Sequence, residues 1–390
     1  MKRGNPNYLL RLNLLIGLTL FGFFLVTWNA VDLIGLSLSQ IYAISLGIRI
    51  TSLFVIAIGL ISLIWEIRLN RRGRRGKAAL RYAVHFIVPL LLVLGLIYYH
   101  VKLTRTVTYT PPWWAVYAYE DVRLLLAEGD VLAGSLTLPK GRGTRIPAVV
   151  LITGSSPHDR DNASPQAPMT AYRPFRQIAH RLSSHGIAVL RMDDRGIGQS
   201  IGGDLSQLTT AERAKDIEAC IAYLRQRPEI DASRIGLIGL SEGVSISHMI
   251  ASHDSRIKAL VFLSGIGSSG KEVLRYQIQQ GVLSEKELST LLQTDKNTRF
   301  LYEFDPLITA RMIRQPVLVI HGDRDRNVQY TDAFLLEKAI KGNGNRNVTI
   351  RILAGYGHPL LKENPDGTVL SARIPDEVLA IIQDWLIREL

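Results

Sequence analysis

A serine between two glycines, Gly239-Leu240-Ser241-Glu242-Gly243, directly follows the apolar run of residues 234–238 and opens a stretch of helical character. Glycines on either side permit a sharp strand-to-helix turn without a Cβ clash, leaving the Ser241 hydroxyl exposed at the end of the strand. A hydroxyl is a poor nucleophile until a base takes its proton and a third group holds that base in the productive tautomer. Residues of both kinds lie downstream. The run 316–321 leads into Gly322-Asp323-Arg324-Asp325-Arg326-Asn327-Val328, and Gly355-Tyr356-Gly357-His358 follows a later apolar run. Serine, acid and imidazole in that chain order suit acyl transfer.

Other spacings suggest chemistry but lack a part. Gly265-Ile266-Gly267-Ser268-Ser269-Gly270-Lys271 looks like a phosphate loop, yet Glu272 stands where Mg²⁺ needs a hydroxyl, and the segment follows a late strand. His248 and His253 are five apart rather than the four of a helical zinc motif, and read as packing or surface residues. His158-Asp159-Arg160-Asp161 reads as a polar loop at the rim of the site rather than a metal centre, and Asp194 and Arg195 as braces of their turn. No cofactor and no metal is expected. The single cysteine, Cys220, excludes an intramolecular disulfide framework.

The elements that must carry these residues alternate. Apolar runs predict strands at 148–153, 187–191, 235–239, 259–264, 317–321 and 348–353, after a hairpin of 122–126 and 132–138. Helical segments run from 174 to 184 and from Thr209 to about Pro228, the second opened by the capping box Thr209-x-x-Glu212. Strand-helix alternation of this kind predicts an α/β fold with a mostly parallel sheet covered on both faces. Residues 266–314 are too long for a simple crossover. With Ser284-x-x-Glu287 opening one of their helices, they read as a helical cap over the sheet edge that helps shape a substrate pocket.

From about Glu120 onward the chain resembles an α/β-hydrolase. It is similar to the branch containing dienelactone hydrolases, prolyl-oligopeptidase-like enzymes and serine-aminopeptidase-like esterases. The resemblance is carried by residues 149–161, by Arg191-Met192-Asp193-Asp194-Arg195-Gly196-Ile197-Gly198-Gln199-Ser200, by the Ser241 turn and by residues 322–328. It implies Ser241 as nucleophile and His358 as general base and acid. The Gly-x-x-Asp-x-x-Val pattern of such proteins frames Asp325 as the orienting carboxylate, with Asp323 as the alternative. It also implies an oxyanion hole made of the backbone N–H groups of Glu242 and Ser155. Thr153-Gly154 replaces the His-Gly common in relatives. A carboxylate at 242 is unusual beside a developing oxyanion; it either turns away to favour the helix N-terminus or holds a cationic part of the substrate.

The chain has 46 Lys+Arg against 34 Asp+Glu over 390 residues, a net charge of +12. Residues 1–110 hold 13 of those bases and 2 of the acids, so the remainder is almost neutral, and a nucleic-acid partner is excluded. The charge lies among three apolar stretches, about 8–28, 41–65 and 80–99, each near the ~20 residues needed to span a bilayer. Residues 1–100 thus read as a three-helix transmembrane region, 101–119 as a juxtamembrane linker and 120–390 as the hydrolase domain. Arg68, Arg71, Arg72, Arg74, Arg75, Lys77 and Arg81 between the second and third stretches place that loop, and the N-terminus, in the cytoplasm. The hydrolase domain is then extracytoplasmic. Arg49, within the second stretch, either snorkels to the outer surface or pairs with Asp32 or a partner subunit.

The expected activity is a membrane-anchored serine hydrolase, with carboxylic esters first as substrates and thioesters, short peptides or amides next. An alternative is a non-catalytic membrane sensor with a hydrolase-like ligand-binding domain.

Overall fold

The computed structural model describes residues 115–390, except 128, 142–144, 156–157, 164–171, 204–207, 365–367, 370 and 372. Within them the strands are β1 Tyr117–Leu125, β2 Val131–Pro139, β3 Ile146–Ile152, β4 Ala188–Met192, β5 Ile230–Leu240, β6 Ile257–Leu263, β7 Val317–Gly322 and β8 Val348–Leu353. They form one sheet in the order β1-β2-β4-β3-β5-β6-β7-β8. β1 and β2 pair antiparallel, β2 runs antiparallel to β4, and every neighbour from β4 to β8 is parallel.

Helices α1 Pro174–Ser184, α2 Thr210–Gln226, α3 Glu242–Ala251, α8 Asp332–Gly342 and α9 Asp376–Glu389 connect or follow the strands, and α4 Gly270–Gln279, α5 Glu285–Thr294, α6 Lys296–Glu303 and α7 Pro306–Ala310 lie together between β6 and β7. The central strands are apolar over most of their length because both faces of the sheet are covered. Successive side chains still serve different layers. Ala148, Val150 and Ile152 of β3 pack with Cys220 and Leu224 of α2 and Ile246 and Ile250 of α3. Val149 and Leu151, one residue out of phase, pack with Phe175 and Leu182 of α1 and Ile382 and Trp385 of α9.

The capping box at Thr209 and Glu212 opens α2, and that at Ser284 and Glu287 opens α5. β1 begins at Tyr117, inside the stretch read as linker: only Tyr117 and Val122 of this edge strand are buried, on opposite faces, while Glu120, Asp121 and Arg123 break its apolar pattern. β5 begins at Ile230 rather than 235, since Ile230 pairs with Ile146 across a register shift that a run of polar residues conceals. Helices α4 to α7 carry few buried side chains, with none in α5 or α6, as expected of an insertion laid over a finished core.

The three apolar stretches and Arg49 lie outside the described residues. Among the described residues no helix is long and apolar enough to cross a membrane.

Candidate active site

Ser241 sits between β5 and α3 at φ 56°, ψ −119°, a conformation that costs a non-glycine residue about 1–3 kcal/mol. Its two glycines make the turn possible by close approach. A Cβ at Gly239 would lie 2.3 Å from the carbonyl oxygen of Gly243, and one at Gly243 would lie 2.3 Å from that of Ile152. The Ser241 N–H donates to the carbonyl of Leu263 at 2.8 Å, which fixes the turn to the end of β6.

The same strand end holds the imidazole. Ser264, at φ 49°, donates its hydroxyl to the carbonyl of His358 at 2.8 Å, while its N–H donates to Ile320. Ser241 and His358 are therefore tied to the adjoining residues Leu263 and Ser264. Nδ1 of His358 lies 2.7 Å from Oδ2 of Asp325, which leaves Nε2 as the nitrogen available for proton transfer. Asp323 is engaged elsewhere: its Oδ1 accepts the Gly355 N–H at 2.7 Å, closing the loop that presents His358.

Asp325 is buried and heavily solvated by protein. Oδ1 accepts the N–H groups of Asn327 and Val328 at 2.8 and 2.9 Å, and Oδ2 also meets Nε2 of His321 at 3.0 Å. Burial opposes the charge on this carboxyl, but the positive field of His358 and the hydrogen bonds from both imidazoles outweigh it, holding the group far below the usual carboxylate range. His321 and Ser264 were not among the expected site residues. A histidine before Gly322 was visible, but nothing in linear spacing shows that it would share an oxygen with His358.

On the other side of Ser241 lies the turn after β3. A Cβ at Gly154 would sit 3.3 Å from Cβ of Ser241, so this turn passes directly against the serine. The Gly154 N–H is taken by Oδ1 of Asn162 at 3.1 Å. The Glu242 N–H opens the first turn of α3, where amides lack intrahelical acceptors. The Glu242 side chain is fully buried and its cationic partner is internal, so of the two alternatives it does not hold a substrate cation. Arg213 donates to Oε1 at 3.0 Å, Thr210 at 2.8 Å, Asn297 of α6 at 3.1 Å, and the Ser155 hydroxyl also binds the carboxylate. Burial would raise the pKa of this carboxyl, but Arg213 and these hydrogen bonds hold it below its ordinary value.

The discounted motifs serve structure. The amides of Gly267 and Ser268 both donate to Oδ2 of Asp332 at 2.9 Å, so a carboxylate of the chain fills the would-be phosphate loop. Residues 159–161 of the loop are buried rather than a rim: Arg160 is 0% exposed and paired with Asp193 at 2.7 Å, and Asp161 is paired with Arg191. Their charges are desolvated against one another, with Arg160 also donating to Gly134 and Ser135 of β2. Asp194 accepts the Thr153 hydroxyl and the His158 N–H, and Arg195 pairs with Asp216 and Asp130. His253 is exposed beside Glu218, and His248 is buried against Phe304. Among the described residues no group of three His, Cys, Asp or Glu could hold a metal ion.

Residues 174–388 match the model of the prolyl oligopeptidase family. Among curated proteins, the chain is 27% identical over 283 residues to esterase EstD of Thermotoga maritima, a match covering 66% of each chain. It is 28% identical over 142 residues to thiohydrolase apmlB of Arthrinium phaeospermum, covering 36% of this chain and 41% of that one. The chain thus spans less than two thirds of either relative. Among solved structures, an esterase of Pyrococcus furiosus superposes with TM-score 0.54 at 20% identity, covering 72% of this chain and 96% of that one. Est1E of Butyrivibrio proteoclasticus, determined with ferulic acid bound, gives 0.52 at 19% identity, covering 69% and 98%. These superpositions establish the α/β-hydrolase fold.

Proposed function

Because the chain belongs to the prolyl oligopeptidase family, a family of hydrolases, we propose that it is a serine hydrolase that cleaves carboxylic esters through an acyl-enzyme on Ser241. The observation that carries this reading is the 2.7 Å contact between His358 Nδ1 and Asp325, in a loop anchored to the same strand end as the strained Ser241 turn.

In this mechanism His358 Nε2 takes the Ser241 proton as Oγ attacks the ester carbonyl. Asp325 keeps the proton on Nδ1 and stabilises the imidazolium. The carbonyl oxygen, now negative, is met by the Glu242 N–H and by the Ser155 N–H, Gly154's being already engaged. His358 then protonates the departing alkoxide, and water, activated by the same nitrogen, releases the acid. No step requires a metal or cofactor. Oxoesters are placed ahead of thioesters because the match to an esterase covers 66% of this chain and that to a thiohydrolase 36%.

The hydrophobic, base-rich residues 1–100 make this a membrane-anchored enzyme in our reading, with three spans, a cytoplasmic N-terminus and the hydrolase domain, residues 120–390, outside. The substrate is then a small ester or acyl compound met at the outer face of the lipid bilayer.

The test is a fluorophosphonate probe with a panel of p-nitrophenyl esters. Wild type should label at Ser241 and turn over short acyl esters, and Ser241→Ala should lose both, with kcat down by about 10⁴ or more. An unlabelled wild type, or equal turnover by Ser241→Ala, would refute the reading.

A further inference from the structure

A single buried cluster joins both sides of the proposed oxyanion hole to the inserted helices. Arg213, on α2, reaches in two directions. One nitrogen donates to Glu242 Oε1 at 3.0 Å; the other donates to the Thr153 hydroxyl at 2.7 Å and approaches the Thr153 carbonyl at 3.3 Å. Asp194 stands 3.6 Å from the same guanidinium and accepts the Thr153 hydroxyl at 2.8 Å. One cation therefore holds the start of α3 and the turn after β3, the two segments that carry the proposed oxyanion donors.

Asn297 brings the insertion into this cluster. Its Nδ2 donates to both Glu242 oxygens, at 3.1 and 3.2 Å, while its Oδ1 accepts the Thr210 N–H at 2.7 Å and lies 2.9 Å from the Thr210 hydroxyl oxygen. Glu242 is 0% exposed, so each lost donor leaves part of a buried charge unsolvated. The position of its backbone then answers to whether α6 is docked.

We infer that Arg213 and Asn297 are positioning residues that set the spacing of the two oxyanion donors through the Glu242 carboxylate, and that docking of the inserted helices completes the oxyanion hole. This rests on the proposed ester hydrolysis at Ser241. It assigns the insertion a part in the rate of reaction as well as in substrate shape: α6 lifted from α2, as for substrate entry, releases Asn297 and loosens the donors, and closure restores them.

The test uses the full chain with Asn297→Ala, Asn297→Asp and, as a control on the same insertion, Ser284→Ala, which removes the α5 cap, whose hydrogen bonds go to Glu287 and not to this cluster. Each is assayed for kcat and KM on a p-nitrophenyl ester, with active sites counted by saturating fluorophosphonate so that a misfolded fraction drops out. Expected is a fall of about tenfold in kcat per titrated site for Asn297→Ala, below the 10²–10³ that follows removal of a whole donor, with KM changed less than about twofold. Asn297→Asp should fall further, because it sets a second carboxylate against Glu242, and Ser284→Ala should match wild type.

Arg213→Met/Glu242→Gln, which removes both charges together, keeps the question open to test if Arg213→Met alone does not fold; it too should lose kcat per site at near-constant KM. Unchanged kcat per titrated site in Asn297→Ala and in the double variant would overturn the inference, and so would an equal loss in Ser284→Ala. A wild type that neither labels nor hydrolyses esters would overturn the proposed function and this inference with it. An active, labelled wild type with indifferent variants overturns this inference alone.

Discussion

At the scale of single residues, the two aspartates of the β7 turn have separable duties. Asp325 orients His358, and Asp323 ties down Gly355. Asp325→Asn offers an amide where the imidazole N–H needs an acceptor, so kcat should fall by about 10⁴ while the fold survives. Asp323→Asn should leave kcat within a few-fold and cost about 1 kcal/mol of stability, as one charge-assisted hydrogen bond weakens. Steady-state kinetics beside denaturant unfolding of the two variants distinguishes these outcomes. His321 adds a second imidazole on Asp325 Oδ2 from a fully buried position, its Nδ1 having no hydrogen-bond partner among the described residues. That oxygen is thereby held in place from within the sheet and from the loop of His358 at once.

At the scale of elements, α3 is fixed at both ends by contacts that substitutions can probe. A Cβ at Gly243 would meet backbone at Ile152 and Thr153, atoms that cannot swing aside as a side chain can. Gly243→Ala should therefore cost about 1–3 kcal/mol and move Ser241 off its geometry, with activity lost more steeply than stability. Farther along α3, His248 is buried between Phe304 and Phe262, with its Nδ1 2.7 Å from the Thr309 hydroxyl. Burial drives its pKa down from 6.5 to about 3. The unfolded chain thus takes up a proton that the folded one refuses. The stability held by neutral His248 is complete above the ordinary histidine value and is lost progressively as pH falls from there to about 3. The full span is worth up to about 5 kcal/mol. A His248→Gln chain should lose less stability than wild type between neutral pH and pH 4, measured by denaturant midpoints.

At the scale of the whole molecule, the charge asymmetry and the three apolar stretches predict that the full chain stays with membranes after alkaline extraction, whereas a fragment from residue 112 remains in the aqueous phase with its esterase activity intact. Release of the full chain by alkali would count against the spans. The fold itself was legible because its cause is local and repetitive: apolar strands separated by amphipathic segments with capping boxes leave few arrangements other than a covered parallel sheet. The serine turn was equally legible, since Gly239, Ser241 and Gly243 are neighbours in sequence and their constraint is steric. What the sequence by itself determined was thus the set of elements and the kinds of reactive side chain. The sharing of one Asp325 oxygen between His321 and His358, the pairing of Glu242 with Arg213 and Asn297, and the burial of Arg160 were decided only by the tertiary structure. Each joins segments tens of residues apart, and whether a carboxylate meets a substrate or an internal cation depends on distances and desolvation that no linear spacing encodes.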